Sequence, residues 1–471
     1  MLTRRRSVAA LALAAACVAG IPTVAAFASF GASKSNPAES ISSATLAPVS
    51  NIKATVQSAT SINVSWDAPT QTVDNVSYEV LDTTSGSTVC TAPSVTNCTD
   101  TGVFPGQTYS FTVRAFVAST SWTKDVTTSA TTPDVYALSP GTSETAGTSF
   151  NLTVTAKKAT SPTNSTLVTD TAYSASTLAF SGSSASPNGT KPSYNGTSGT
   201  SVSLTGLTFT SGALTVPVTL FNAGSNTITA TTGTGGTAVT GSQTITVTPT
   251  AAKTLSVTGL TDSTAGTAQS ATVAALDQYG NTATGYRGTV AFTSTDSQAT
   301  AGSGLPSNYT FLASDSGSHT FSNGVTLKTA GSETVTATDT TTGTIKGTET
   351  VTITAAAPSK LQFVQCSKNG GTAGSCSNIA VGNGGNVSGQ VEALDAFGNI
   401  ATITTGFQVS ITSSNPQWTA NPSSVTISST ANPSNGTAWQ VTYTSTGISS
   451  TTITATDASD GSIKGTMTAS K

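Results

Sequence analysis

Two short polar turns offer the most obvious chemistry in this 471-residue sequence. Asp277 and Asn281 bracket the run Asp-Gln-Tyr-Gly-Asn, and Asp395 and Asn399 bracket Asp-Ala-Phe-Gly-Asn. Their side-chain oxygens are ligands that Ca²⁺ uses, but Ca²⁺ takes about 6–8 oxygens and each turn brings one carboxylate. The alternative is a hairpin turn in which Gly and Asn accept positive φ and Asp bonds the turn backbone. Because each turn has only one carboxylate, we favour this structural interpretation.

Two further polar positions invite a metal-binding interpretation. Asp457, Asp460 and Gly461 resemble the start of a calcium loop, but no Glu follows at the position that ends such a loop. We therefore predict a solvated turn there. His319 is the single histidine, with no Cys nearby in sequence, so we predict a surface residue. The sequence predicts neither a metal site nor a cofactor.

Hydrolytic chemistry has few candidate residues. Glycoside hydrolysis needs two carboxyl groups about 5–10 Å apart. Glu79, Asp82 and Asp100 are candidates, but on a small β-sandwich we expect them mostly to face solvent. No Gly-x-Ser-x-Gly elbow occurs with a plausible acid and base. We predict that the chain is not an enzyme.

Carbohydrate binding stays open at this point. Sugars stack on exposed aromatic rings and bond to Asn, Gln and Thr side chains, which are abundant. No pattern assigns Trp122, Tyr286, Trp418 or Trp439 to a core.

The charge content narrows the classes further. The chain has 18 Lys plus Arg and 21 Asp plus Glu, so only 8% of residues are charged, against about 25% in an average soluble domain. With so few basic residues there is no footprint for nucleic acid. The 36% of apolar residues still supply a core.

The N-terminus has the form of a secretory signal peptide. Arg4–Arg6 precede an almost purely apolar run from Val8 to Ala28, which predicts cleavage after Ala28. A retained anchor is one alternative, and lipidation at Cys17 is another, although the residues before Cys17 match a lipoprotein box poorly. Residues 29–43 are a predicted flexible leader. No later segment is long and apolar enough to span a bilayer.

Export changes the interpretation of the cysteines. After cleavage four remain, as the close pairs Cys90/Cys98 and Cys366/Cys376. In an oxidising compartment two local disulfides are the simplest interpretation, with free thiols as the alternative.

Alternating apolar and polar residues separated by Gly, Asn and Pro predict short strands throughout. We expect an all-β chain of tandem sandwiches in a semi-extended rod. Thr145–Thr148 recurs at Thr264–Thr267, Asp277–Asn281 recurs at Asp395–Asn399, and Ala223–Ser225 recurs as Ala330–Ser332. The repeat unit of about 105–118 residues has the length of one sandwich. The predicted domains are residues 44–133, 134–250, 253–356 and 358–471.

Residues 44–133 resemble a fibronectin type III domain. The resemblance rests on Ser61–Trp66, Val76–Val80 and Pro105–Ala115 in order. It implies that Trp66 is a core residue and that Tyr109 forms a tyrosine corner. The chain contains no Arg-Gly-Asp tripeptide, so the integrin binding of some such domains does not carry over.

Residues 253–356 and 358–471 resemble bacterial immunoglobulin-like repeats of the invasin and intimin type. The carriers are the Asp-x-aromatic-Gly-Asn turns and the Val-Thr-Ala-Thr-Asp strand. Residues 134–250 keep only the outer parts of this pattern, with an insertion near 181–201.

These observations lead to two hypotheses. The first is a non-catalytic secreted or surface protein serving adhesion, spacing or envelope structure through an unknown protein or glycan partner. The alternative is an accessory or carbohydrate-binding protein in extracellular polysaccharide degradation, because fibronectin type III modules accompany such enzymes.

Overall fold

The computed structural model describes residues 46–471 except 71–74, 93–94, 118–119, 122–123, 140, 142, 383, 429–438 and 445–449. The predicted signal peptide, Cys17, the Ala28 cleavage site, the leader 29–43 and Trp122 lie outside the described residues. The described chain is built from β-strands, with two short 3₁₀ turns at Gly235–Thr237 and Ala313–Asp315. The predicted all-β fold class is confirmed. Among the described residues, no helix has the length and apolarity that a bilayer span requires.

Alternation of side chains explains why these segments are strands. In Ser61–Asp67, Ile62, Val64 and Trp66 are at most 3% exposed, while the polar residues between them are only half-buried. Successive side chains of a strand point to opposite faces of its sheet, so one face enters a core and the other meets water. Burial is worth about 25 cal/mol per Å² of apolar area, and this face selection fixes the strand register.

Four hydrophobic cores follow one another along the described chain. Their residues fall within 46–130, 136–247, 255–353 and 361–469, and we call the corresponding units the first to fourth sandwich. The first sandwich has a three-stranded sheet facing a five-stranded one. Its strands are Ser50–Ser58, Ser61–Asp67, Val76–Asp82, Ser87–Ala92, Asn97–Asp100, Thr108–Val117, Thr120–Ser121 and Val126–Thr131.

The second sandwich has eleven strands connected into a single sheet. The connection arises because Val135 pairs with both Lys157 and Thr240. Its strands are Val135–Ser139, Ser143–Thr145, Ser149–Ser161, Asn164–Thr169, Thr177–Ser181, Ser193–Tyr194, Thr197–Ser198, Ser201–Thr205, Ala213–Thr219, Gly224–Thr232 and Val239–Thr248.

The third sandwich has a three-stranded and a five-stranded sheet, with a small two-stranded sheet beside them. A short strand at Ser263–Thr264 runs parallel to the last strand, so that the start of the sandwich is tied to its end. The strands are Thr254–Thr258, Ser263–Thr264, Ala268–Leu276, Thr289–Ser294, Thr300–Ala301, Gly304–Leu305, Tyr309–Thr310, Ser318–Thr326, Gly331–Asp339 and Lys346–Thr354.

The fourth sandwich repeats this plan with a four-stranded and a five-stranded sheet. Its parallel tie is Ile379–Ala380 against the last strand. The strands are Lys360–Lys368, Ile379–Ala380, Asn386–Leu394, Phe407–Ser413, Trp418–Ala420, Ser424–Ile427, Trp439–Tyr443, Ser450–Asp457 and Lys464–Ser470.

Both cysteine pairs form disulfides in the structure. Cys90–Cys98 joins the two sheets of the first sandwich, because Ser87–Ala92 and Asn97–Asp100 belong to different sheets. Cys366–Cys376 ties the first strand of the fourth sandwich to the loop that follows it. Each bridge closes a short local loop, with sequence separations of 8 and 10.

Candidate functional site: the joints between sandwiches

The Asp-Gln-Tyr-Gly-Asn turn lies at the joint between the second and third sandwiches. Asn281 belongs to the third sandwich, but its side-chain oxygen accepts the Ala223 backbone N–H of the second at 2.8 Å. Its amide nitrogen donates to the Phe221 carbonyl, also in the second sandwich, at 2.9 Å. Asp277 accepts a bond of 2.9 Å from the same nitrogen and one of 3.1 Å from the N–H of the linker residue Thr250. The turn therefore ties both sandwiches to the linker between them.

The aromatic residue of this turn packs on the second sandwich. The Tyr279 ring lies 5.0 Å from the Phe221 ring, in an edge-to-face arrangement. It also covers Gly147, which has a φ of +78° and where any Cβ would overlap the tyrosine hydroxyl. Gly147 is the glycine of the Thr-Ala-Gly-Thr repeat. That repeat and the turn repeat are thus two halves of one contact.

The Ser-, Gly- and Asn-rich insertion near residues 181–201 reinforces the second joint. Asn188 donates its backbone N–H to the Tyr279 carbonyl at 3.1 Å and its side-chain amide to the Gln278 carbonyl at 3.0 Å. The loop that presents Asn188 is itself held, because its side-chain oxygen accepts the N–H and the hydroxyl of Thr190 at 3.0 and 2.7 Å. The insertion therefore holds the turn of the third sandwich against the second sandwich.

The third joint repeats the asparagine contacts of the second. The Asn399 side-chain oxygen accepts the Ala330 N–H at 2.8 Å, and its nitrogen donates to the Lys328 carbonyl at 2.7 Å. Asp395 accepts a bond of 2.7 Å from the same nitrogen and one of 3.0 Å from the linker N–H of Ala356. The same two side chains thus hold sandwich, linker and sandwich together again.

The aromatic contact is repeated as well. Phe397 covers Gly266, which has a φ of +84° and where a Cβ would overlap the ring. Gly266 is the glycine of the second Thr-Ala-Gly-Thr repeat. The Gln298 side chain of the third sandwich donates to the Phe397 carbonyl at 3.2 Å. In the second joint the equivalent carbonyl, that of Tyr279, accepts the Asn188 N–H.

The carboxylates of these turns are occupied by N–H donors. Asp395 is fully buried, and its Oδ1 accepts the N–H groups of Phe397 and Asn399, both at 2.9 Å. Burial alone would raise the pKa of Asp395, but hydrogen bonds from Asn399, Ala356 and Phe397 outweigh it and lower the pKa. A Ca²⁺ ion would have to displace these donors. Among the described residues, no group of three His, Cys, Asp or Glu side chains is placed to hold a metal ion.

The first joint uses the tyrosine corner of the first sandwich. Tyr109 is fully buried, and its hydroxyl accepts the Phe104 N–H at 2.7 Å within its own sandwich. The same hydroxyl donates to the Pro162 carbonyl of the second sandwich at 3.0 Å. Gln107 adds a side-chain bond of 2.6 Å to the Ala159 carbonyl. The tyrosine therefore has an interdomain role beyond its structural one.

All three joints follow one scheme. In each, the contact to the preceding sandwich is made by the end of a long strand of the later sandwich or by the chain that follows it. That strand is Ser149–Ser161, Ala268–Leu276 or Asn386–Leu394. In the second sandwich the strand continues into a hairpin with Asn164–Thr169, and in the others a short turn follows.

The first sandwich buries the residues that its resemblance assigned to the core. Trp66 is 3% exposed and its ring lies 5.4 Å from that of Tyr78. The expectation for the acidic residues was wrong, because Asp82 and Asp100 are only 1% and 9% exposed. Each accepts a turn N–H two residues ahead, from Thr84 at 2.9 Å and from Gly102 at 2.8 Å. Their burial is explained by turn formation, and it raises the pKa of Asp100.

Glu79 has a simple role in the same sandwich. Its carboxylate lies 3.5 Å from the Arg114 guanidinium, and both side chains are about one-third exposed. Such an exposed ion pair contributes little to stability.

Two other polar predictions are met only in part. The His319 side chain is 27% exposed, but it stacks on Tyr309 at 3.9 Å and its Nδ1 lies 3.1 Å from Asp315. In the turn predicted to be solvated, Asp457 itself is buried: it is 4% exposed and accepts the Ser459 N–H and hydroxyl at 2.8 and 2.7 Å. The rest of that turn, residues 458–462, is exposed, and within it Asp460 bonds Ser462.

The rings considered for sugar stacking are committed elsewhere. Trp418 and Trp439 are 2% and 0% exposed in the fourth core. Tyr286 is half-buried and donates its hydroxyl to Asp339, and burial followed by that carboxylate raises its pKa. The two tryptophans therefore present no free face, Tyr286 stays partly exposed, and Trp122 lies outside the described residues.

Asn188 and Gln107 are joint residues that sequence reasoning missed. Both bond to backbone carbonyls, which carry no side-chain signature. The sequence holds a weak signal for Gly147 and Gly266. Each lies in a Thr-Ala-Gly-Thr repeat, and the next sandwich along the chain contains an Asp-x-aromatic-Gly-Asn turn.

Strand order, cores and joints define a multidomain protein of fibronectin type III- and immunoglobulin-like β-sandwiches. The first sandwich is a fibronectin type III domain, since that family's profile matches residues 47–131. No curated protein matches the chain.

Several solved structures align with large parts of the chain. Escherichia coli alpha-2-macroglobulin activated by porcine elastase is 10% identical over 90% of this chain and 44% of its own, with a TM-score of 0.25. Invasin, a bacterial integrin-binding protein, is 15% identical over 90% of this chain and 78% of its own (TM-score 0.22). Domains FN1–FN3 of chicken CNTN1 are 11% identical over 66% and 99% (TM-score 0.18). The chain spans less than half of the macroglobulin chain.

Proposed function

We propose that this is a non-catalytic secreted or cell-surface protein that holds its sandwiches in a fixed end-to-end array, for adhesion, spacing or envelope structure. The repeated joint supports this most directly. Asn281 and Asn399 each bond two backbone groups of the preceding sandwich. An asparagine clamp with an aromatic ring over glycine restricts rotation far more than a short linker alone.

Two features support export. The basic and apolar N-terminal run has the form of a signal peptide. Cys90–Cys98 and Cys366–Cys376 are bonds that persist in oxidising compartments. In such an array the partner, a protein or a glycan at a cell surface, would be met by a sandwich held away from the point of attachment.

The hydrogen bonding of the buried carboxylates supports the proposal that the protein is non-catalytic. Asp82, Asp277 and Asp395 accept backbone N–H groups of their own turns. A carboxylate whose oxygens are filled in this way is not available as a general acid or base.

Small-angle scattering on the mature chain tests the array. A compact globule of this length would have a radius of gyration of about 23 Å, and we expect a value well above it. The double variant Asn281→Ala, Asn399→Ala should broaden the distance distribution without unfolding any sandwich. The matched control is Asn63→Ala, because Asn63 is a half-buried asparagine that bonds Thr99 of its own sandwich. A wild-type value near 23 Å would refute the array, and cell fractionation would test its surface location independently.

A further inference from the structure

The first joint contains two neighbouring carboxyl groups, one buried and one partly exposed. Asp134, in the linker between the first two sandwiches, is 8% exposed, and its Oδ2 is buried and accepts no hydrogen bond. Its Oδ1 lies against Gly106 of the first sandwich, where a Cβ would overlap it. The carboxyl is therefore enclosed by the two units that the linker joins.

The group that faces Asp134 is another acid. Asp170, at the base of the second-sandwich hairpin, interacts with the Asp134 carboxyl, and two carboxyls can bond only through a shared proton. Lys158 is a positive charge that acts on both acids, and its Nζ lies 3.0 Å from Asp170 Oδ1. Tyr136 and Tyr173 are the remaining titratable neighbours, and their hydroxyls bond to each other at 2.6 Å.

One lysine thus serves two carboxyl groups. Asp170 holds it directly and also accepts the Ala172 N–H at 3.1 Å. Asp134 has no direct contact of this kind and feels only the more distant charge of Lys158. An ionised Asp134 is therefore a buried negative charge without a close positive partner, which destabilises the joint.

We propose that Asp134 makes the first joint a pH-sensitive switch, which closes when Asp134 takes up a proton shared with Asp170 and loosens when Asp134 is ionised. Closure brings Ala159 onto Gln107 and Pro162 onto Tyr109 of the first sandwich. Mild acidification would therefore stiffen the junction between the first sandwich and the rest of the chain.

The direction of the effect follows from the energetics of burial. Burial, followed by repulsion from Asp170, raises the pKa of Asp134 to about 6, although Lys158 lowers it in part. Because the pKa is raised in the closed joint, closure is favoured as the pH falls through 6 and disfavoured above it. Linkage gives about a tenfold stronger closure at pH 5 than at pH 7.5.

Hydrogen exchange on the full chain tests this switch. The Ala159 amide donates across the joint to the Pro105 carbonyl at 2.9 Å, so its protection reports closure. We expect about tenfold more protection at pH 5 than at pH 7.5, after correction for intrinsic exchange. The Val113 amide, on a buried strand of the first sandwich, should not share this change.

Variants separate the switch from general acid effects. Asp134→Asn should keep the low-pH protection at both pH values, while Asp67→Asn, an exposed acid of the first sandwich, should respond like wild type. Lys158→Met should move the midpoint upward, and it decides the matter if Asp134→Asn does not fold. An unchanged response in Asp134→Asn, or an unchanged midpoint in Lys158→Met, would overturn the proposal.

Discussion

Replacing Gly266 by alanine is expected to open the third joint. With a φ of +84°, an L-residue at this position pays roughly 1–2 kcal/mol. The new methyl group would also overlap the end of the Phe397 ring, which must then swing off the third sandwich. Overpacking of this kind costs about 1–3 kcal/mol. If the overpacking cost acts only on the joint, it lowers the equilibrium constant for joint closure by about five- to 150-fold.

A matched control isolates the overlap from the backbone cost. Gly398 has a φ of +91°, but no atom lies within 4 Å of a Cβ built there. Gly398→Ala should therefore carry only the conformational cost. The Ala330 amide, which donates across the joint to Asn399, reports opening by hydrogen exchange. The amide of buried Val335 reports the stability of the third sandwich itself.

A double-mutant cycle completes the test. In a Phe397→Ala background the ring is absent, so adding Gly266→Ala should cost only the backbone term. We expect a coupling of about 1–3 kcal/mol between the two positions. Equal Ala330 exchange in Gly266→Ala and Gly398→Ala, or no coupling in the cycle, would refute the ring-on-glycine contact.

Three further outcomes are expected. Tyr109→Phe leaves two backbone groups without a partner and should lower the unfolding free energy of the first sandwich by about 1–3 kcal/mol in urea titrations, whereas a neutral result would contradict its double hydrogen bonding. Because the pKa of Asp395 is lowered, stabilisation of the third joint should hold near neutrality and decline as the pH falls below about 4; exchange of the Ala330 amide measures this, and Asp395→Asn should lack the response. Finally, the denatured, unreduced mature chain should show no reactive thiol, and reducing Cys366–Cys376 should cost the fourth sandwich about 2–3 kcal/mol.

The alternation of the sequence predicts the fold class because burial acts on one strand face at a time. The core side chains of one strand alternate in sequence and so lie on the same sheet face, as Ile62, Val64 and Trp66 do. Local pairing is also visible in sequence, as for Cys90 and Cys98, since short loops bring such residues together.

The joints could not be predicted in the same way. Asn281 bonds two backbone groups about 60 residues away, and backbone groups have no sequence signature. The sequence predicts solvent exposure for Asp82, on a small sandwich, and for Asp457, in a turn without a full calcium loop, yet turn N–H groups bond both carboxylates in buried positions. The burial of Trp439 could not be predicted, because alternation shows which residues share a sheet face but not which face meets the core.

The third sandwich carries both halves of the joint. At one end it has the turn with Asn281, and at the other it has Gly266 and Ala330, which receive the next turn. A tandem duplication of this one unit would therefore supply a matching surface on each side at once. Such an array can lengthen or shorten by whole units during evolution without any new interface having to arise, because contacts run only between neighbours.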